Sequence, residues 1–426
     1  MLQETLSLFK PVTRDERQEE CIQHWKEAKG HGTIVGATGF GKTFVAIKII
    51  TRLVEKNPTI KVLIAVPTEL LKNQWIEKLD VRGLGLNCEV VVMMGASKRL
   101  AQCDLLVLDE AHRANATQLS QILVNTKFKL ILGLTATFER LDGRHEILAK
   151  YAPVCDTVTM QDALLNGWVS KYSDYVVLLD VPDIDVYKEY NKEFIQHFEF
   201  FGFDFGLVMS MAGKNGYKNR LAYRDQICKD QSKKTEVFKE ITYHATAFMR
   251  ALQKRKAFVA NHPDKLRVAE EIIKHRSNSK IITFSSNVKM AESFQEGFVY
   301  TGKEGKKKNR ITLEEFSKMD SGVLHTVKLA EEGMSINDLS VGIMLGVNSS
   351  KTKSIQTLGR VVRLEKDKHA EFFTIVINDT VETEWMKKSK NDNNFVVIDE
   401  ENLLKVLKGE PYESYKRKLK NYQYRF

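Results

Sequence analysis

Gly36-Ala37-Thr38-Gly39-Phe40-Gly41-Lys42-Thr43 follows an apolar run that begins at Gly32. It opens an amphipathic stretch, 42–56, with Val45, Ala46, Ile49, Ile50 and Leu53 at helical spacing. The octapeptide fits GxxxxGK[ST] in the setting the pattern requires, a strand before it and a helix after it. Its glycines let the backbone curl so that N–H groups converge on an anion at the positive end of the following helix. Lys42 adds a point charge, and the Thr43 hydroxyl is a candidate Mg²⁺ ligand beside phosphate. Gly36, Gly39 and Gly41 are therefore read as the phosphate cradle. A chance glycine-rich turn is the bland alternative, and the strand–loop–helix context weighs against it.

Working outward, apolar runs at 32–37, 62–66, 105–109 and 129–134 alternate with amphipathic stretches, the grammar of βαβ units around a parallel sheet. The run 105–109 ends in Asp109-Glu110-Ala111-His112. A buried strand ending in acids puts carboxylates at the carboxyl edge of the sheet, where ligands of such sheets bind. There Asp109 is expected to hold Mg²⁺, and Glu110 to orient or deprotonate an attacking water.

The same grammar returns after Lys265, with candidate strands at 280–284, 322–327, 341–345 and 372–377. Between the halves the character changes. Eight aromatic residues fall within 187–205, the first of them at helical spacing, and a charged helical stretch, 232–256, follows. The expected fold is α/β, with two parallel-sheet lobes, 1–165 and 263–380. A mainly helical connector, 166–262, and a carboxyl extension, 381–426, complete it. The aromatic segment reads first as a packed connector, with base stacking as the alternative.

Composition bounds the rest. The chain has 426 residues, 43% hydrophobic and 28% charged, enough apolar mass for real cores. The net charge of +10 is spread along the chain rather than gathered in a tail, which favours a polyanionic partner. Five dispersed cysteines, with no CxxC pair, argue against a disulfide framework or a zinc ribbon. The amino terminus lacks a signal-peptide pattern, and no apolar run approaches the ~20 residues that span a bilayer. The expectation is a cytoplasmic protein with no membrane partner and an oligomeric state left open.

The Asp109–His112 tetrapeptide is a DEAH box, and the chain resembles superfamily 2 helicases and translocases over roughly 14–366. The resemblance implies two RecA-like lobes, ATP and Mg²⁺ as cofactors, and nucleic acid as partner. Gln18 resembles the adenine-reading glutamine. Pro67-Thr68 resembles a motif that touches the nucleic-acid backbone, and Thr135-Ala136-Thr137 one that links hydrolysis to strand movement. The continuation Phe138–Arg144 is similar to a narrower branch holding XPB-like, phage UvsW-like, RadD-like and restriction-type proteins.

In the second half, the resemblance covers Ser285 after 281–284, His325-Thr326 through Gly333, and Gln356-Thr357-Leu358-Gly359-Arg360-Val361-Val362-Arg363. It implies nucleic-acid contacts at Pro67, Thr68, Thr135, Thr137, Ser285 and Thr326. It also implies ATP contacts at Gly333, Gln356, Arg360 and Arg363. Two arginines at i and i+3 of a helical segment share a face and can reach one phosphate when the lobes close. Ser335 and Asn337 stand where the branch usually has aspartate and proline.

The charge run 303–310 reads equally as a solvated loop or a phosphate contact. The tyrosine- and lysine-rich end, 412–426, reads as docking against the second lobe, with nucleic-acid contact as the alternative. With about 13 residues before Gln18's motif, no folded amino-terminal domain is expected. The implied activity is an ATP-dependent DNA helicase acting on single-stranded or branched DNA in recombination, repair or replication, compact like phage-encoded members. The alternatives are a DEAH-type RNA helicase and a duplex translocase of a restriction system.

Overall fold

The computed structural model describes residues 12–37, 39–136, 145–168, 172–213, 215–327, 336, 338–347, 369–389 and 395–414. The first sheet holds β1 (His31–Gly36), β2 (Val62–Val66), β3 (Cys88–Val92), β5 (Leu105–Asp109), β7 (Leu130–Thr135) and β8 (Val154–Val158). Their order is β3-β2-β5-β7-β1-β8, with every neighbouring pair parallel. Two short strands, β4 (Ala101–Gln102) and β6 (Thr126–Lys127), form a separate parallel ribbon.

Helices cover both faces of this sheet, so β2 and β5 are buried along their whole length. That is why both read as unbroken apolar runs rather than alternating ones. Because all strands run the same way, the residues after β1, β2, β5 and β7 collect on one edge. The chain thereby brings the glycine loop, Pro67-Thr68, Asp109-Glu110 and Thr135-Ala136 together.

The second sheet has seven strands in the order β11-β12-β10-β13-β14-β9-β15, again all parallel. They are β9 (Tyr172–Leu179), β10 (Lys280–Phe284), β11 (Phe298–Tyr300), β12 (Gly322–Thr326), β13 (Val341–Met344), β14 (Ala370–Ile377) and β15 (Val396–Asp399). Here the structure differs from the sequence reading, which put 172–179 in the helical connector and 396–399 in a tail. β9 pairs with β14 over eight residues, from Tyr172 with Ala370 to Leu179 with Ile377, and β15 pairs with β9. The chain leaves the first sheet and enters the second before it builds any insert. Ser173 and Asp174 disguise the strand, although Asp174 is buried in the sheet.

The insert proper consists of helices Ile184–Glu199, Phe205–Ala212, Gly216–Ile227 and Lys234–Asn261. Its aromatics make a separate core: Phe201, Val208, Met211, Ile241 and Phe248 are buried, with Phe194, Phe198 and Phe200 packed on them. The segment 187–205 is thus mainly a packed connector, although Phe203 and Phe205 at its end are half exposed. The Tyr187 hydroxyl accepts from the Val381 N–H at 2.8 Å, tying the insert to the end of the second sheet.

His262 then breaks the long helix. It caps the next one, Pro263–His275, by accepting from Asp264 N–H at 3.2 Å. Proline at the first helical position has no N–H to lose there. At the other end of the lobe, Tyr412 packs edge-on against Tyr175 at 6.2 Å, the docked arrangement for that residue. Residues 415–426 lie outside the described residues.

Candidate ATP and nucleic-acid site

The helix Arg14–Glu27 starts with a reciprocal cap. Thr13 Oγ1 accepts from Glu16 N–H, and the Glu16 carboxylate accepts from Thr13 N–H at 2.8 Å. One turn later Arg17 grips Asp156 of β8 with two bonds of 2.6 Å. Burial works to raise the Asp156 pKa, but hydrogen bonds from Arg17, Cys21 and His24 and the Arg17 charge together outweigh it and bring it down to about 2. So anchored, the helix lays Gln18 on the glycine loop, where its side-chain amide donates to the Phe40 carbonyl at 3.0 Å.

Gly39 (φ 92°) and Gly41 (φ 95°) occupy the left-handed region, which side chains disfavour. A Cβ on Gly41 would also lie 2.7 Å from the Gln18 amide. Lys42, 9% exposed, folds back so that Nζ donates to the Gly36 carbonyl at 2.8 Å. A Cβ on Gly36 would come within 3.0 Å of the Lys42 side chain. The loop is therefore a cradle that any larger residue would fill.

Across β7 from the loop, Asp109 is 4% exposed. Its Oδ1 accepts from Glu110 N–H at 3.0 Å and its Oδ2 from the Trp75 indole N–H at 2.7 Å. Burial pushes the Asp109 pKa up and the neighbouring Glu110 charge adds to this, with Trp75 and Lys42 opposing. A cation beside this carboxylate would remove that penalty, so the donor set suits a divalent ion. Among the described residues no cluster of three or more His, Cys, Asp or Glu side chains could hold a metal alone. An ion at Asp109 and Thr43 would therefore share its coordination with phosphate oxygens, as Mg²⁺ commonly does. Glu110 has φ 50°, left-handed for a residue with a side chain, the kind of backbone strain that collects at functional sites.

The expected nucleic-acid hydroxyls divide. Pro67 and Thr68 lie half-buried at the edge of the first sheet, and Thr68 caps the helix Glu69–Asp80. Ser285 is 8% exposed, and its hydroxyl has no hydrogen-bond partner among the described residues. Two of the expected hydroxyls lie inside the sheets. Thr326 is fully buried and donates to the Thr283 carbonyl at 2.8 Å, so its hydroxyl is spent within the sheet. Thr135 is 1% exposed, beneath the edge rather than on it.

The run 303–310 is no loop beyond its first residues. A helix begins at Gly305, and Lys303 pairs with Glu292 at 3.0 Å. Thr137, Gly333, Ser335, Asn337, Gln356, Arg360, Arg363 and Phe138–Arg144 lie outside the described residues. Trp75 is the residue that sequence reading missed. It lies 34 positions from the carboxylate it meets, and no motif marks it.

Comparison with known proteins bears on the family and the fold. The model of the Type III restriction enzyme res subunit matches residues 12–92 and 93–140, and the helicase conserved C-terminal domain matches 264–365. Together they cover just over half of the chain. The DNA 3'-5' translocase XPB2 of Sulfurisphaera tokodaii is 26% identical over 390 residues, covering 86% of this chain and 82% of that protein.

Among solved structures, S. cerevisiae Dbp5 bound to RNA and ADP BeF3 has a TM-score of 0.57 at 14% identity. It covers 95% of this chain and 94% of that one. The Pyrococcus furiosus Hef helicase domain has a TM-score of 0.50 at 17% identity, covering 89% and 100%. Both share the two-lobed RecA-like fold. No helix among the described residues is long and apolar enough to cross a membrane. The chain belongs to the superfamily 2 helicases, as an ATP-hydrolysing member resembling the XPB-like and restriction-type enzymes.

Proposed function

We propose that this protein is an ATP- and Mg²⁺-dependent DNA translocase of the cytoplasm. It would move on single-stranded or branched DNA and remodel it in recombination, repair or replication. One observation carries the reading. Gln18, the Gly36–Lys42 cradle, Asp109-Glu110 and Thr68 belong to one sheet edge, so nucleotide and nucleic-acid strand would meet side by side. The likeness to XPB2 over most of both chains favours DNA.

In this reading Gln18 recognises adenine, and the loop N–H groups with Lys42 hold the β- and γ-phosphates. Lys42 has to leave the Gly36 carbonyl to do so, and that bond keeps it close by meanwhile. Thr43 and Asp109 hold Mg²⁺, which when bound neutralises charge on the phosphate oxygens. Glu110 orients the attacking water and takes its proton. Arg360 and Arg363, with Gln356 and Gly333, approach from the second lobe and stabilise the transition-state charge. ATP then favours the closed lobes, and hydrolysis releases them. Pro67, Thr68 and Ser285 contact the strand backbone, which carries no sequence information.

The test is steady-state ATPase without nucleic acid and then with single-stranded, forked and duplex DNA and RNA. Stimulation by single-stranded or forked DNA, and a loss of about 100-fold or more in Glu110→Gln, are expected. Stimulation by RNA alone would overturn the substrate class. Stimulation by blunt duplex alone would point to the restriction-type translocase.

A further inference from the structure

Trp75 is 1% exposed, and its indole N–H is 2.7 Å from Asp109 Oδ2. A core position of this kind needs only volume, which phenylalanine or leucine supplies. Indole is the large apolar side chain that also brings one N–H donor and no acceptor. Its acceptor here is the carboxylate expected to hold the metal. The second oxygen of that carboxylate is fixed by the Glu110 N–H, so both oxygens are oriented from behind.

The helix carrying Trp75 matters equally. β2 lies beside β5, with Ala65 level with Leu108, so Thr68 emerges next to Asp109 on the sheet edge. Thr68 caps the helix Glu69–Asp80 by accepting from Leu71 N–H at 3.3 Å. Trp75 follows seven residues later, two turns along nearly the same face. Thr68 and Trp75 thus lie about 10 Å apart on one rigid helix, Thr68 at its start and Trp75 near its middle. The start lies where a strand backbone would bind, and the middle touches the metal-site carboxylate.

We infer that Trp75 is a positioning residue that holds Asp109 for Mg²⁺·ATP and transmits strand binding at Thr68 to that carboxylate. The coupling half rests on the reading of Thr68 as a strand contact; the positioning half does not. The distances make the link steep. A shift of the helix by about 1 Å takes a 2.7 Å bond beyond the range in which it counts as one. The indole is 1% exposed, so water does not replace the lost acceptor. The bond is therefore made or broken with helix position, and Asp109 is held or released with it.

The test uses the full chain and Trp75→Phe, which keeps an aromatic ring and removes the donor. Trp25→Phe is the control, because the Trp25 indole N–H donates to the Ile131 carbonyl at 3.0 Å in the same core, away from the carboxylates. The first readout is binding of a fluorescent ATP analogue with and without Mg²⁺, free of nucleic acid. Losing a partner behind a metal ligand typically weakens metal binding 10–100-fold. Mg²⁺-dependent affinity should thus fall about tenfold or more in Trp75→Phe alone, with Mg²⁺-free binding unchanged in all three proteins.

Intrinsic tryptophan emission is the second readout. Mg²⁺·ADP should change it in the wild type and in Trp25→Phe, but much less in Trp75→Phe. The third is linkage: oligo-dT should shift Mg²⁺·nucleotide affinity in the wild type and in Trp25→Phe, and leave it nearly unmoved in Trp75→Phe. Equal Mg²⁺ dependence in both variants overturns the positioning role. Linkage that survives in Trp75→Phe overturns the coupling and leaves Thr68 as a strand contact. A wild type that does not bind oligo-dT overturns the reading of Thr68 and the coupling together, while the Mg²⁺ readout still decides positioning.

Discussion

At the carboxyl edge of the first sheet, Lys42, Asp109 and Thr68 make bonds a ligand can exchange: a lysine folded onto its own loop, a carboxylate held from behind, a helix cap. At the same edge of the second sheet several described side chains, Ser285 apart, are committed inward. Thr326 donates to the Thr283 carbonyl, and the His325 ring sits between the Thr283 hydroxyl at 2.9 Å and the Glu296 carbonyl at 2.8 Å. The ring also stacks on Phe294 at 3.9 Å. Beyond them, Lys265 and Glu382 form an ion pair of 2.6 Å that is almost wholly inaccessible. Two all-parallel sheets of different strand order thus divide the work. The first leaves its edge open for chemistry, and the second, among the described residues other than Ser285, turns its edge side chains inward and gains a rigid body on which to carry an insert.

The largest expected effect breaks that rigidity. Lys265 Nζ also donates to the Leu345 carbonyl at 2.9 Å, and Glu382 accepts from Ile377 N–H at 3.2 Å. The pair therefore joins the ends of β13 and β14 to the helix Pro263–His275. Lys265→Met should cost about 3–5 kcal/mol in denaturant unfolding, because it strands a buried carboxylate. Lys265→Met combined with Glu382→Leu should recover most of it. A single substitution costing under ~1 kcal/mol would show that the pair does not hold this edge.

A smaller effect separates the lobes by pH. Burial depresses the His325 pKa to about 4, against the weaker pull of the Glu296 carbonyl. Its stabilisation is fully present above about pH 6.5 and is lost as pH falls toward 4, by about 3 kcal/mol in total. In the first lobe Asp156 is depressed to about 2, so its contribution holds down to about pH 4 and is lost below that. Acid should loosen the second lobe first. Unfolding free energies at pH 7, 5.5 and 4.5 for the wild type and His325→Phe test this. A slope that persists unchanged in the variant would assign the acid sensitivity elsewhere.

The same contrast explains what could be read in the sequence. The first edge was legible because its chemistry requires particular residues at fixed spacing. Glycines must precede Lys42, and acids must end a strand as apolar as Leu105–Asp109. The strands flanking the second edge were less so. β9 opens with Tyr172-Ser173-Asp174, polar letters of which Asp174 becomes buried as the strand pairs with β14, some 200 residues away. β15 is four residues long, too short to show a period.

Hydroxyl direction was not legible either. Successive side chains at a strand end alternate faces, so whether Thr326 meets solvent or the Thr283 carbonyl is settled by register with β10. The Trp75–Asp109 contact is hidden for a related reason, since it forms between a helix and the end of a strand 34 positions away.

The smallest expected effect sharpens the comparison from the open side. Gln18 reaches the loop because its helix starts at the right place, and the Thr13–Glu16 cap sets that start. Thr13→Ala should cost about 1 kcal/mol, the usual worth of such a cap. The Arg17–Asp156 bonds remain one turn on, so the helix should stay attached while its first turn frays. ATP affinity should then weaken a few-fold, with no change for a nucleotide whose base makes no contact with Gln18. Equal weakening for every base would mean that the cap acts on the loop itself rather than through Gln18. The open edge would then depend on its own backbone, much as the filled edge does.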